Sequence, residues 1–266
     1  MDLLRRELAP IVPEAWSLID AEAARVLKLN LAGRKLVDVS DPHGWGFAAI
    51  NTGRLRPLEP ESTADLSIGI RTVQALVELR SSFSLAVVEL ESVGRGGTDP
   101  ALTALVQACE RISHAEDRAI FDGLEGAGIS GILGASPHDP ITVANVEGYP
   151  RAVLAGLEVL RNAGVNEPYA LALGATAYDE LLAALEDGYP IAQQLEHLLD
   201  DKLIFAPSLG QAALVSVRGS DYDLTIGQDF SVGYAGHDPE KVELYLVESF
   251  AFRVLEPRAA IRLVPP

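Results

Sequence analysis

Residues 31–46 read LAGRKLVDVSDPHGWG, and the rest of the chain can be placed outward from this junction. A helical pattern stops at Gly33, because glycine commonly ends helices by taking up left-handed backbone angles. The basic pair Arg34 and Lys35 follows, and residues 36–39 predict a strand through their β-branched side chains. An Asp-Pro and a Gly-Trp-Gly segment then predict a turn. The junction therefore predicts a passage from helix to strand, without a phosphate loop, metal cluster or nucleophile elbow.

The composition is that of an ordinary globular protein. The chain has 266 residues, of which 48% are hydrophobic and 22% charged, enough for one large domain or two small ones. A formal net charge of -17 disfavours nucleic acid and anionic membranes, because both are bound by clustered Lys and Arg. The single cysteine, Cys109, excludes an intramolecular disulfide and a cysteine-based zinc site. With neither a signal-peptide pattern nor an apolar run of the roughly 18 to 20 residues that span a membrane, we expect a cytoplasmic protein.

Two segments around the junction have opposite patterns. Between residues 14 and 31, apolar side chains such as Ile19 and Val26 recur at helical spacing, which predicts an amphipathic helix packed on the protein's own core. Residues 51–71 are rich in Gly, Pro and polar side chains, with short extended pieces. This second segment has too few apolar residues to bury a core. It is therefore predicted to be an arm that is mobile or packed against another chain.

The remainder predicts a mixture of helices and strands. Residues 72–93 are dense in apolar and β-branched side chains. Asp99-Pro100 predicts the N-cap and first turn of a long helix that runs to about residue 122. Residues 135–200 alternate between helical and extended patterns, as in a mixed α/β lobe, and the last third is mostly strand, with a long one at 242–254.

Motifs that suggest catalysis or metal binding are weak. Residues 126–131 match G-x-G-x-x-G, but they follow a helix rather than a strand, so we interpret these glycines as a turn. His114 and Asp117 have a spacing that can hold a metal, yet no second histidine lies nearby, and we interpret them with Glu116 as a solvated helix face. No catalytic or metal-binding residue is predicted, although an active site built from distant segments, for example in the 135–200 lobe, stays an alternative.

Several segments resemble one known family, in order and over nearly the whole chain. They are residues 1–10 with Trp16, 33–35, 37–39, 79–85, 89–90, 116–123, 218–219, 223–224 and 227–234. Together they are similar to the encapsulins, specifically the family 1, actinobacterial-type shell proteins of bacterial nanocompartments. The resemblance implies an α+β chain with the tailed-phage major capsid fold of the Hong Kong 97 type.

The resemblance also implies a division of the chain into domains. Its parts would be a peripheral domain with the N-terminal helix at 1–52, an extended loop at 53–71, more of the peripheral domain at 72–134, an axial domain at 135–225 and C-terminal peripheral strands at 226–266. In that arrangement the extended loop clasps a neighbouring subunit.

The implied function is structural. The chain would self-assemble into a closed icosahedral T=1 shell around a cargo enzyme, such as a dye-decolourising peroxidase or a ferritin-like protein. The implied partners are further copies of the chain and a cargo protein bound through a short C-terminal targeting peptide, without nucleic acid or membrane. The capsid protein of a defective prophage is a second alternative from the same fold.

Two sites are expected from the resemblance. The cargo peptide would bind beside the N-terminal helix, at Arg34, Val37, Asp38, Val39, Asp229, Phe230 and Val232. The competing interpretation is that the apolar members fill the core and that Arg34 pairs with Asp38. A pore at a symmetry axis would be lined by Glu186, Asp187, Gly188 and Tyr189, and rings of its two carboxylates would favour cations. The competing interpretation is an ordinary surface turn.

A cofactor is doubtful. Some encapsulins carry a flavin near a tryptophan in the segment after Phe83, and the matching position here is Val88. Arg80 is retained, but the aromatic surface on which a flavin ring could stack is missing. We therefore expect no cofactor.

Overall fold

A computed structural model describes residues 3–59, 62–63, 65–186, 188–200, 202–210 and 212–266. The helices are α1 (Pro13–Asn30), α2 (Val87–Gly94), α3 (Thr103–Phe121), α4 (Ile132–Ala135), α5 (Tyr149–Asn162), α6 (Ala175–Ala183) and α7 (Ile191–Leu198). The strands are β1 (Asp38–Val39), β2 (Ala49–Pro57), β3 (Gly69–Ala75), β4 (Val77–Ala86), β5 (Ile141–Thr142), β6 (Tyr169–Leu173), β7 (Leu185–Glu186), β8 (Tyr189–Pro190), β9 (Leu203–Phe205), β10 (Ala212–Ser216), β11 (Tyr222–Ile226), β12 (Ser231–His237), β13 (Lys241–Val254) and β14 (Ala260–Val264).

The first sheet is built around the long strand β13. Strand β4 pairs antiparallel along one edge of β13, while β12 and β11 pair one after the other along the opposite edge. The two-residue strand β1 extends this sheet by pairing parallel with β11. The long strand predicted near the C-terminus is therefore confirmed, and it organises the sheet.

Helices α1 and α3 cover one face of this sheet. Their apolar sides bury Ile19, Val26, Leu105 and Ile112 against strands β4, β12 and β13. The helix predicted before the junction is confirmed as α1. However, residues 33–35 form a 3-10 turn, so the predicted strand at 36–39 is shortened to β1.

Gly33 has a different role from the predicted one. A Cβ atom at this position would lie 2.6 Å from Cδ1 of Ile120 on α3. Glycine is required because the chain passes close to α3, and not because the helix needs a left-handed residue at its end. The helix itself ends at Asn30, three residues earlier.

The second sheet has the order β5-β14-β10-β6-β9, and it shares one hydrophobic core with α5, α6 and α7. Every residue of β6 and β10 is buried. The expected domain boundaries stay a prediction, and strand pairing crosses them at two places. Strand β14 pairs with β10 rather than joining the other C-terminal strands, and β11 belongs to the first sheet. Hydrogen-bond register, which sequence pattern does not reveal, decides both.

The arm is a long hairpin of β2 and β3. Its register breaks between Asn51 and Leu55, and most of its side chains are exposed. Leu55, Ile70 and Val73 are 64%, 45% and 52% exposed. Within the described residues the hairpin has no buried core, as its composition predicts.

The chain after β4 differs from prediction at one helix start. Helix α3 begins at Thr103, so Asp99 is not its N-cap. The G-x-G-x-x-G segment lies between α3 and α4, where Gly123, Gly128 and Gly131 have positive φ angles. A Cβ at Gly131 would lie 2.3 Å from the backbone nitrogen of Gly123. These glycines form a tight turn, which confirms the interpretation of the motif.

Candidate binding groove

A groove of about 490 Å³ lies between α1, the N-terminal segment and the residues that lead into β12. We name it the α1 groove. Its floor is apolar and buried, and consists of Ala23, Leu27, Leu31, Val232 and Leu246. One end is bordered by an ion pair in which Arg6 lies 2.7 Å from Asp20. The other end is bordered by Arg34, Asp229 and Phe230.

Arg34 is held by three carboxylates from different parts of the chain. Its Nη2 donates to Glu116 at 2.7 Å and its Nη1 donates to Asp229 at 3.0 Å. Nη2 also donates to Glu248. The guanidinium lies 4.8 Å from the centre of the Phe230 ring, in cation–π geometry. We name these four charged residues the Arg34 cluster.

The cluster lies where two hydrophobic cores meet. On β13, Glu248 separates Leu246 of the core under α1 from Phe250 of the core that continues into the second sheet. On α3, Glu116 lies between the same two cores, after Ile112 and before Ile120. Arg34 therefore joins three elements at a polar seam between the cores.

Burial shapes the electrostatics of the cluster. The side chains of Glu116 and Glu248 are 0% exposed, whereas that of Asp229 is 46% exposed. Burial and the neighbouring Glu116 raise the pKa of Glu248 well above its usual value. Burial alone would lower the pKa of Arg34, but the surrounding carboxylates outweigh it and raise that pKa, so Arg34 stays charged.

Asp117 fastens the junction to α3. Its carboxylate accepts hydrogen bonds from the backbone N–H groups of Ala32 at 3.1 Å and Gly33 at 2.8 Å, and from the hydroxyl of Ser208 at 3.1 Å. Burial raises the pKa of Asp117 to about 7. The prediction that Glu116 and Asp117 form a solvated helix face is wrong, because this side of α3 faces the junction and β13.

The predicted cargo-site residues separate into two groups. Four of them, Arg34, Asp229, Phe230 and Val232, lie together in the α1 groove. The other three do not line it. Val37 is partly buried and packs against the core that continues into the second sheet. Asp38 accepts a hydrogen bond from the backbone N–H of Ser220 at 2.5 Å, and Val39 on β1 is 41% exposed.

The alternative pairing of Arg34 with Asp38 is wrong. Register decides this, because Asp38 lies opposite Asp223 and reaches the turn at Gly219 and Ser220 instead. Arg34 is already occupied by the three carboxylates of its cluster.

Glu116 and Glu248 are the residues that sequence reasoning missed. One signal was available for Glu248. It occupies an inward position of a strand whose neighbours at two-residue spacing, Leu246 and Phe250, are apolar. A charged residue at such a position is expected to have a buried partner.

The predicted pore segment is a short hairpin of β7 and β8. Glu186 and Tyr189 are exposed, the latter by 63%, and Gly188 has a φ of 81° that suits a tight turn. Asp187 lies outside the described residues. The hairpin presents polar and aromatic groups to solvent.

The residues at the expected flavin position do not fit a flavin. Val88 lies on α2, is 61% exposed and offers no aromatic face. Arg80 lies 3.5 Å from the ring centre of Tyr245, so its guanidinium already has an aromatic partner.

The fold resembles that of capsids. A virus-like particle from Pyrococcus furiosus has a TM-score of 0.62 at 15% identity, covering 94% of this chain and 99% of that one. The capsid of Myoviridae phage XM1 has a TM-score of 0.55 at 12% identity, covering 88% of this chain and 90% of that one. At these identities the likeness establishes the architecture alone: an α+β capsid fold of the Hong Kong 97 type.

Sequence relatives define the family. A family model described as "Encapsulating protein for peroxidase" matches residues 1–251. The type 1 encapsulin shell protein of Rhodospirillum rubrum is 42% identical over 270 residues, 99% of this chain and 96% of that protein. That of Brevibacterium linens is 42% identical over 265 residues, 99% of both chains. Fold and relatives together make this chain a self-assembling shell protein and not an enzyme. It belongs to the encapsulin family.

No helix within the described ranges combines the length and apolar character that crossing a bilayer demands.

Proposed function

We propose that the chain forms a closed icosahedral T=1 shell in the cytoplasm, and that a cargo protein is retained inside by a short C-terminal tail bound in the α1 groove. The α1 groove carries this proposal, because it combines an apolar floor with charged ends. An extended peptide with a few aliphatic residues and a basic end needs such a surface. Leu27, Leu31 and Val232 would receive the aliphatic side chains.

Charge supports one orientation of the tail. Asp229 is partly exposed at one end of the groove, and its only ion pair within the described residues is with Arg34 at 3.0 Å. Its outer oxygen is therefore available to a basic side chain. Because one short peptide buries little area, its affinity would be modest, and many sites in one shell would raise retention through avidity.

The cargo is proposed to be an enzyme. The matching family model is described by the encapsulation of a peroxidase, which favours a dye-decolourising peroxidase, with a ferritin-like protein as the second choice. The net charge of -17 favours protein cargo over a packaged genome, because a wall in contact with nucleic acid needs positive charge.

A fluorescent protein fused to a Gly/Leu-rich tail with a basic end tests the groove directly. Co-expressed with wild-type shells, the reporter should co-purify with them, and Phe230→Ala should lower the reporter-to-shell ratio severalfold. Phe205→Ala is the matched control, since Phe205 lies on β9 outside the groove and is 36% exposed. Equal loading of both variants, with intact shells, would place cargo elsewhere.

Asp38→Lys shows how far the site extends. Because Asp38 faces the turn at Ser220, we expect loading close to wild type. A severalfold fall with intact shells would extend the site to β1. Absorbance of purified shells at 260 and 280 nm separates this function from a prophage capsid, which would carry nucleic acid.

The arm and the short hairpin complete the proposed shell. The exposed apolar side chains of β2 and β3 would be covered by a neighbouring subunit. Glu186, Asp187, Gly188 and Tyr189 would line an opening at a symmetry axis, where rings of carboxylate favour cations over anions.

A further inference from the structure

Two fully buried carboxyl groups approach the same guanidinium. Oε1 of Glu248 accepts from Arg34, while its Oε2 is buried and has no hydrogen-bond partner among the described residues. The carboxylate of Glu116 accepts hydrogen bonds from Nε and Nη2 of Arg34. It also lies close enough to Glu248 for the two carboxyl groups to share a hydrogen bond. These two glutamates come from α3 and β13, so their contact crosses the seam between the cores.

The charges of this cluster do not balance when all groups are ionised. One guanidinium faces the two glutamates and Asp229, which would leave an excess of two negative charges. An ionised carboxylate with an unpartnered buried oxygen is costly, and two carboxyl groups in contact normally hold one proton between them. A proton on Oε2 of Glu248 would remove the cost of burying that atom unpartnered, because the protonated carboxyl group can donate a hydrogen bond to Glu116.

Among the described residues, the other charged groups on the neighbouring elements do not offset this excess. Across the sheet from Glu248, β4 places Leu79 in register, and Arg80 next to it lies over Tyr245. On α3, the carboxylate of Asp117 is occupied by the backbone at 32–33. From α1, Lys28 lines the groove, whereas Lys35 of the 3-10 turn reaches back to the carbonyl of residue 29.

We propose that Glu116 and Glu248 are positioning residues of the α1 groove, and that one shared proton lets them hold Arg34 beside Phe230 in the shape that binds the tail. This inference rests on the proposed cargo function. The tail touches neither glutamate. The two glutamates act on the tail through Arg34. They contact Arg34 from the buried side, whereas Asp229 and Phe230 contact it from the groove.

The direction of the pH effect follows from the cluster. The pKa of Glu248 is raised in the folded protein, so the folded state keeps a proton that the unfolded chain releases at lower pH. The resulting stability is present at low pH and is lost as the pH rises through the folded pKa. Loss of the proton draws Arg34 towards the two glutamates and away from Asp229 and Phe230. Binding of the tail should therefore weaken at higher pH.

Loaded shells can report this without being opened. Shells are filled with a monomeric fluorescent protein that carries a Gly/Leu-rich tail ending in arginine, and its fluorescence anisotropy is followed from about pH 6 to about pH 9. In wild type the tethered fraction should fall by up to about tenfold per pH unit above the pKa of the pair. Glu248→Gln, which resembles the protonated side chain, should keep the reporter tethered at every pH. Glu243→Gln, an exposed position on the same strand, should behave as wild type.

A second measurement needs no cargo. The thermal midpoint of empty wild-type shells should fall over the same pH range, and both Glu248→Gln and Glu116→Gln should reduce that slope. If the thermal midpoint changes with pH by the same slope in wild type and in both variants, the shared proton is overturned. If tethering in Glu248→Gln depends on pH as it does in wild type, the link between that proton and binding of the tail is overturned. A wild-type reporter that rotates freely at every pH would instead refute the cargo function, while the thermal slopes still decide the proton.

Discussion

The arm and the second sheet are both made of strands, yet the side chains of the second sheet are mostly buried and those of the arm are mostly exposed. Leu214 on β10 is 0% exposed, whereas Leu55 on β2 is 64% exposed. Both lie on strands that pair antiparallel with a neighbour. The difference lies in the side chains: those of β10 face helices of the same subunit, and those of the arm face solvent.

This contrast separates two sources of stability. A two-stranded hairpin alone is marginal in water, so its hydrogen bonds do not explain why the arm keeps its shape. A row of exposed apolar side chains marks a surface for another chain. The second sheet stabilises the protomer, while the arm is expected to gain its stability on assembly.

Removal of the arm gives the largest expected effect. Deletion of residues 54–70 should abolish closed shells while leaving the circular dichroism and cooperative unfolding of the protomer intact. The reason is that the described part of the arm contributes nothing to either buried core. Sedimentation velocity measures the loss. Intact shells from the deleted chain would show that the arm does not hold subunits together.

Two leucine truncations test the contrast at single residues. Leu214→Ala should lower the free energy of unfolding of the unassembled protomer by about 2–5 kcal/mol, because it leaves a cavity in a packed core. Leu55→Ala should change it by less than about 0.5 kcal/mol, yet reduce the yield of shells. Urea titration of the protomer and size-exclusion yields provide the two readouts. Similar destabilisation of the protomer by Leu214→Ala and Leu55→Ala would contradict the view that only the second sheet stabilises the protomer.

Asp117 extends the comparison to a buried charge. Its pKa of about 7 lies above its unfolded value, so the folded state binds an extra proton, and stability falls as the pH rises towards 7. The slope from this group is at most about 1.4 kcal/mol per pH unit. Asp117→Asn should flatten that part of the profile in urea titrations between about pH 4 and pH 8. Asp122→Asn, at a partly exposed carboxylate just past α3, is the control.

The hairpin of β7 and β8 is the second exposed hairpin and gives the smallest effect. Glu186→Gln should leave assembly and protomer stability unchanged, because the side chain is exposed. If it lines an opening, uptake of ferrous ion by loaded shells should slow severalfold relative to an anionic dye. Glu180→Gln, at an exposed position on α6, serves as the matched control. Unchanged uptake ratios would remove Glu186 from the opening.

Sequence by itself determined the elements with strong periodic patterns. Helix α1, the long strand β13 and the exposed arm all followed from the spacing or scarcity of apolar residues. The resemblance of ordered segments identified the family, and it drew attention to Arg34, Asp229, Phe230 and Val232, which lie in one groove. Periodicity succeeds here because each pattern depends on residues that are neighbours along the chain.

The tertiary structure alone decided what each buried polar group meets. Arg34 binds Glu116 and Glu248, which are 82 and 214 residues away along the chain. A sequence pattern shows that one side of α3 is apolar, but not that the junction will bring the guanidinium of Arg34 against Glu116 and two backbone N–H groups against Asp117. Strand register likewise placed Asp38 at the turn near Ser220 and β14 in the second sheet. These choices depend on contacts between distant segments, which form only when the two cores close around the seam.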